Sequence, residues 1–147
     1  MIVEDVTIRR GTIEDSEAFA YLMADLGYPT TSEEMRERLT YLLQDPAYVC
    51  FAACHSHEVI GMIGLMKNYF FERNGTYIQI LLLTVSEHYR GNGIGKALVE
   101  YAEEWAIGQG CTAVVLQIGK QQHALHSFYR NINYDDTGLR FIKVLLS

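Results

Sequence analysis

Val85-Ser86-Glu87-His88-Tyr89-Arg90-Gly91-Asn92-Gly93-Ile94-Gly95-Lys96 is the stretch whose reading decides the fold. It lies between the most apolar segment of the chain, residues 77–85, and an amphipathic segment over 93–107. In that second segment Ile94, Ala97, Leu98, Tyr101, Ala102 and Trp105 recur at helical spacing, with Lys96, Glu100, Glu103 and Glu104 on the other face. The spacing therefore predicts strand, glycine-rich turn, helix. Glycines at alternate positions let a backbone come close to a ligand. The free amides at a helix start, reinforced by the helix dipole, attract anions. Arg90 and Lys96 add positive charge. A pyrophosphate needs these features.

Two common phosphate sites are excluded by counting. A nucleotide P-loop requires Gly, four residues, then Gly-Lys-Ser/Thr. Counting back from Gly95-Lys96, Arg90 holds the first glycine position, and Ala97 replaces the hydroxyl. The dinucleotide fingerprint requires Gly-x-Gly-x-x-Gly, but from Gly91 and Gly93 the third position is Lys96.

Working outward, residues 3–10 alternate as a strand. Thr12-Ile13-Glu14-Asp15 and Thr31-Ser32-Glu33-Glu34 each read as a capped helix start, with a hydroxyl followed by an acid three residues on. Ala18, Phe19, Leu22, Met23 and Leu26 form the first apolar stripe, which Gly27 ends. Met35, Leu39, Leu42 and Leu43 form the second, stopped by Asp45-Pro46. Residues 48–54 and 58–67 read as strands joined by a turn at His55-Ser56-His57. Asn74-Gly75 turns the chain into the 77–85 strand, whose apolarity marks it as central. A strand over 112–118 follows the 93–107 helix. A helix over 121–132 comes next, with Leu125, Phe128, Tyr129 and Ile132 facing inward, and then a closing strand over 139–146. The order is β-α-α-β-β-β-α-β-α-β, an α/β chain with a mixed, mostly antiparallel sheet and helices on both faces.

The chain has 147 residues, 49% hydrophobic and 20% charged, with two prolines, which suits one compact domain over 1–147. The net charge of −6, without a Lys/Arg run, argues against nucleic acid and anionic membrane as partners. The apolar run around residues 80–83 is far shorter than the ~20 residues of a membrane span. Three cysteines, an odd number behind an N-terminus unlike a signal peptide, indicate reduced thiols and a cytoplasmic location. Cys50 and Cys54 lack zinc spacing, and no metal site is expected.

The run Arg90-Gly91-Asn92-Gly93-Ile94-Gly95 resembles the acetyl-CoA motif of the GNAT superfamily of N-acetyltransferases, Gln/Arg-x-x-Gly-x-Gly/Ala. Leu83-Thr84-Val85 before it, the helix behind it and the element order extend the resemblance to nearly the whole chain. It implies a GNAT-like fold with acetyl-CoA as acyl donor. The backbone of Leu83, Thr84 and Val85 would pair with the pantetheine arm where two strands splay. The amides of Arg90, Gly91, Asn92, Gly93, Ile94, Gly95 and Lys96 would hold the pyrophosphate. The implied reaction moves the acetyl group to a primary amine of a small molecule or peptide, by direct attack in a ternary complex.

The segment from Ala124 to Tyr134 looks like the family's tyrosine helix, in which Tyr129 matches the residue that protonates the departing sulfur. The sequence departs from the family in three places. Asn133 stands where the family usually has Gly, Lys120-Gln121-Gln122 replaces an early Asn, and Leu81 occupies the strand position that often carries a Glu. Gln79 shares that strand face but is no base. A water chain, His126 or an acid of the early helices are the open alternatives, and His88 reads as a surface residue of the turn. By the family's layout, Tyr28, Tyr69 and Phe70, with Gln79, are candidates for the acceptor side. A non-catalytic acyl-CoA-binding or regulatory domain is the alternative function, thiolate chemistry at Cys111 a weaker third, and a homodimer fits the family.

Overall fold

Alternation along one strand creates both layers of the protein. In β2 (Tyr48–His55), residues 49–54 are all buried. Cys50, Ala52 and Cys54 join a cluster with Phe19, Leu22 and Met23 of α1 (Ser16–Leu26) and with Met35 and Leu39 of α2 (Ser32–Gln44). Phe51 points the other way. Its ring meets the edges of Tyr101 at 4.9 Å and Trp105 at 6.0 Å, both on α3 (Ile94–Gly108). Helices therefore cover both faces, and both sides of β2 are apolar.

The computed structural model describes residues 5–118, 123–138, 141 and 143–146. The chain divides into two compact units, Met1–Val115 and Leu116–Ser147.

The sheet of the first unit runs in chain order: β1 (Val6–Arg10), β2, β3 (Glu58–Tyr69), β4 (Thr76–Val85) and β5 (Ala113–Leu116). The first four pair antiparallel. The middle strand is β3; the expectation that 77–85 is central gives way to an inner position between β3 and β5. Leu65 pairs with Ile80 and Gly64 with Leu82, so Leu81 is the extra residue of a bulge. β5 starts beside the start of β4, where the Thr112 N–H donates to Thr76 O at 2.9 Å, and it is only four residues long.

The helix starts follow the expected chemistry. Thr12 and Asp15 form a capping box before a short 3-10 turn (Ile13–Asp15). Thr31 and Glu34 form another, with the Glu34 N–H donating to Thr31 Oγ1 at 3.1 Å and the Thr31 N–H to Glu34 Oε1 at 2.9 Å. Asp15 also takes a bidentate pair from Arg9 at 2.7 and 2.8 Å, which holds its carboxyl below the usual range. Gly27 ends α1 at φ +109°.

In the second unit α4 covers His123–Asn131; Gln121 and Gln122 of the expected helix lie outside the described residues. Tyr129 is buried, but Leu125 is exposed, against the inward position its spacing suggested. Leu139, Arg140 and Ile142 of the expected closing strand are also outside the described residues. Phe141 and residues 143–146 form no strand and are exposed.

The β2–β3 connection is a two-residue turn made of Ser56 at φ +49° and His57 at φ +68°. Both sit in the left-handed region that such hairpins demand, where Asn-Gly is the favoured pair. A non-glycine residue there costs about 1–2 kcal/mol. His57→Gly is expected to stabilise the protein by about 1 kcal/mol, after the added entropy of the unfolded glycine. Urea unfolding measures it; a loss of stability would show that the His57 side chain holds the turn.

Candidate functional site

At the end of β4, Leu83, Thr84 and Val85 pair with Ile63, Met62 and Gly61 of β3. The Ser86 N–H donates to Ile60 O at 2.7 Å and fastens the strand end. A 3-10 turn (Glu87–Tyr89) follows, closed by the Tyr89 N–H on Ser86 O at 2.9 Å. Gly91 and Gly93 then take φ +81° and +78°. A Cβ at either would meet no protein atom within 4 Å, so the backbone conformation, not crowding, demands glycine. The Asn92 side chain folds back, its Nδ2 donating to Tyr89 O at 3.1 Å and Arg90 O at 3.3 Å.

Gly93 is the residue before α3 and carries no cap. The Ala97 N–H makes the bond to Gly93 O at 3.0 Å, so the amides of Ile94, Gly95 and Lys96 have no acceptor within the helix. No acid stands in the first turn. Thr31 caps the start of α2 with its own side chain and Thr12 caps the 3-10 turn before α1, whereas among the described residues no side chain caps the start of α3, where the positive end of a 15-residue dipole favours an anion.

The cationic side chains divide. Arg90 turns away from the amides: its Nε donates to Val85 O and its Nη2 to Asp25 Oδ2, each at 3.0 Å. The expected contribution of its charge is thus consumed within the protein. Lys96 lies 3.9 Å from Glu100, both exposed, a pairing of little strength. The Thr84 hydroxyl is buried without a hydrogen-bond partner among the described residues.

The model of the acetyltransferase (GNAT) family matches residues 16–134. The chain belongs to this family. Among curated relatives, N-acetyltransferase family 8 member 2 of Rattus norvegicus is 32% identical over 87 residues, covering 59% of this chain and 38% of that protein. The chain spans about two fifths of the length of this and two further N-acetyltransferase relatives from the same organism. The aminoalkylphosphonate N-acetyltransferase of Salmonella typhimurium is 28% identical over 139 residues, 94% of this chain and 90% of that one. A solved GNAT family acetyltransferase of Staphylococcus aureus superposes with a TM-score of 0.84 at 26% identity, covering 95% of this chain and 98% of that chain.

The GNAT tyrosine candidate, Tyr129, is 6% exposed in the second unit. Its ring packs edge-on against Phe128 at 5.0 Å and Tyr134 at 5.4 Å. Burial pushes its phenol up to about 12. Burial likewise raises the Cys50 thiol to about 11, the behaviour of a core cysteine. The Cys111 thiol accepts from the Thr76 hydroxyl at 3.5 Å, and His88 is exposed in the 3-10 turn.

The expected acceptor residues come from three different elements or connections. Tyr69 and Phe70 sit at the β3–β4 hairpin, nine strand steps, roughly 30 Å, from Val85. Phe70 is already engaged by Tyr77 at 4.6 Å and by the Arg73 guanidinium at 4.0 Å. Tyr28 is exposed in the α1–α2 connection, and Gln79 is half-buried in mid-β4 opposite Met66. Leu81, at the bulge, is 47% exposed and carries no titratable group. Sequence reasoning missed Asp25, a single acid beside an apolar stripe, and nothing in its spacing marks it.

Asn133, the departure from the family's glycine, has φ +72°. The Tyr134 N–H donates to Tyr129 O at 2.9 Å and the Asn133 N–H to Arg130 O at 3.1 Å, the left-handed helix stop that Gly or Asn supplies. Asn133→Gly is expected to be neutral or stabilising by a few tenths of a kcal/mol, and Asn133→Val to cost about 1–2 kcal/mol. Thermal unfolding of both variants checks the order; its reversal would give the Asn133 amide a role of its own.

Proposed function

We propose that the protein is an N-acetyltransferase that moves the acetyl group of acetyl-CoA to a primary amine of a small molecule or peptide, as one domain over residues 1–147. The uncapped start of α3 behind two positive-φ glycines carries the reading. Of the amides expected from Arg90 to Lys96, that of Arg90 donates to Glu87 O at 3.5 Å, and amides 91–96 would take the pyrophosphate, with Lys96 near. The outer edge of β4 past the bulge, in Leu83, Thr84 and Val85, would take the amide-bearing arm. The unmet Thr84 hydroxyl fits a polar ligand there. Three free cysteines support a reducing compartment, the cytoplasm, and among the described residues no helix is long and apolar enough to cross a membrane.

In the reaction the amine lone pair attacks the thioester carbonyl. The C–N bond forms, the C–S bond breaks, nitrogen loses a proton and sulfur gains one. Tyr129, protonated throughout the neutral range, is the donor to sulfur. Leu81 offers no base, so the amine proton leaves through water. The same absence favours the second reading, an acyl-CoA-binding domain without turnover; thiol release with an amine panel separates the two.

Calorimetric titration with acetyl-CoA, CoA, ATP and NAD is the first test. Selective binding of acetyl-CoA and CoA is expected, and folded protein that binds neither overturns the proposal. Gly93→Val should cost about 1–2 kcal/mol of stability and abolish that binding; retained native affinity would remove the loop from the site. Tyr129→Phe should lower turnover about 100-fold with acetyl-CoA affinity nearly unchanged. Unchanged turnover across the amine panel would end its role as acid.

A further inference from the structure

We propose that Asp25 of α1 is the positioning residue of the cofactor loop, an inference that rests on the reading of that loop as the acetyl-CoA site. One oxygen, Asp25 Oδ2, accepts from the Glu87 N–H at 3.2 Å and from Arg90 Nη2 at 3.0 Å. Arg90 in turn donates from Nε to Val85 O at 3.0 Å. A single carboxylate thus ties together the end of β4, the first residue of the 3-10 turn and the residue before Gly91. The Asp25 side chain is 15% exposed, so its charge-assisted bonds are partly shielded from water and stronger for it.

The location gives the clamp its purpose. Beyond Arg90 the chain has two glycines at positive φ, the softest links in the loop. Beyond them Ile94 is buried and fixes the start of α3. With Arg90 held, the glycine segment hangs between two fixed ends, and its amides are set in place before a ligand arrives. Asp25 also absorbs the charge of Arg90, so the anion meets main-chain amides rather than a mobile guanidinium.

The test is acetyl-CoA affinity by calorimetry, with Tm measured in parallel. Asp25→Asn, nearly isosteric, is expected to bind about tenfold more weakly while Tm changes little. Asp25→Glu, which keeps the carboxylate, should recover part of that loss. Arg90→Gln should lose about as much as Asp25→Asn, and the double variant no more than either single, because both remove one contact. A merely structural role would lower Tm without this pattern of affinities. Asp25→Asn binding within twofold of native or more tightly, no recovery in Asp25→Glu, or losses that add in the double variant would each overturn the proposal. Should Asp25→Asn fail to fold, Arg90→Gln, altered on the half-exposed partner, decides alone: affinity within twofold of native overturns it. Native protein that binds no acetyl-CoA instead overturns the reading of the loop.

Discussion

The open amides at the start of α3 are the constraint to which the surrounding structure answers. A helix start with neither side-chain cap nor acid leaves donors that something else must satisfy. The helix cannot shift to relieve this. Ile94, Leu98, Val99 and Ala102 are buried, and the α3 face carrying Tyr101 and Trp105 packs on Phe51. At about 1.5–3 kcal/mol for each large apolar side chain taken out of water, that packing outweighs any gain from moving the terminus. The loop in front conforms to the fixed helix: Ser86 is tied to β3, Asn92 folds back on the turn, and Arg90 is tied to α1.

β4 supplies the second half of the arrangement. Its bulge at Leu81 interrupts the regular ladder just before residues 82–85. β5, four residues long and starting beside Thr76, accompanies only the first part of the strand. Beyond the bulge the Val85 carbonyl accepts from Arg90 Nε at 3.0 Å, so the end of β4 is tied to the loop as well as to β3. One strand thus contributes to the sheet core through Ile78 and Ile80, and holds the loop at its other end.

The features legible in the sequence were those whose chemistry is local. The glycines of the loop, the capping boxes at Thr12 and Thr31, and Gly27 at the end of α1 each follow from the backbone geometry at one place. Asn133 in the glycine position is explained the same way, since Asn tolerates the left-handed region better than other non-glycine residues. Features set by register or by tertiary neighbours were not legible. The Leu81 bulge exists only relative to β3. Ser56 and His57 are poor residues for the turn they make, imposed by the strands on either side. Arg90, followed by glycines, reads in sequence as a phosphate cation, whereas its partner, Asp25, is 65 residues away. Tyr69 and Phe70 lie at the β3–β4 hairpin, a place set by the length of β4 and not by their segment alone.

Tyr129 shows how burial acts on a phenol and on its own host. A phenol raised to about 12 holds its proton more tightly than a free thiol near ~8.5 would, so transfer to a fully hydrated thiolate is uphill. A thiolate formed where water is excluded has its own proton affinity raised by the same desolvation, which narrows the gap. The acid role proposed for Tyr129 would thus require a closed, dry site. The sign for stability follows from the same shift. The folded phenol lies above its ordinary value near ~10, so the stabilisation from burying it neutral is complete below that pH. It is lost as pH rises from about 10 through about 12, where an unfolded chain releases the proton and the folded one holds it. A tyrosine that is a reluctant acid at neutral pH is, for the same reason, a stable part of the core there.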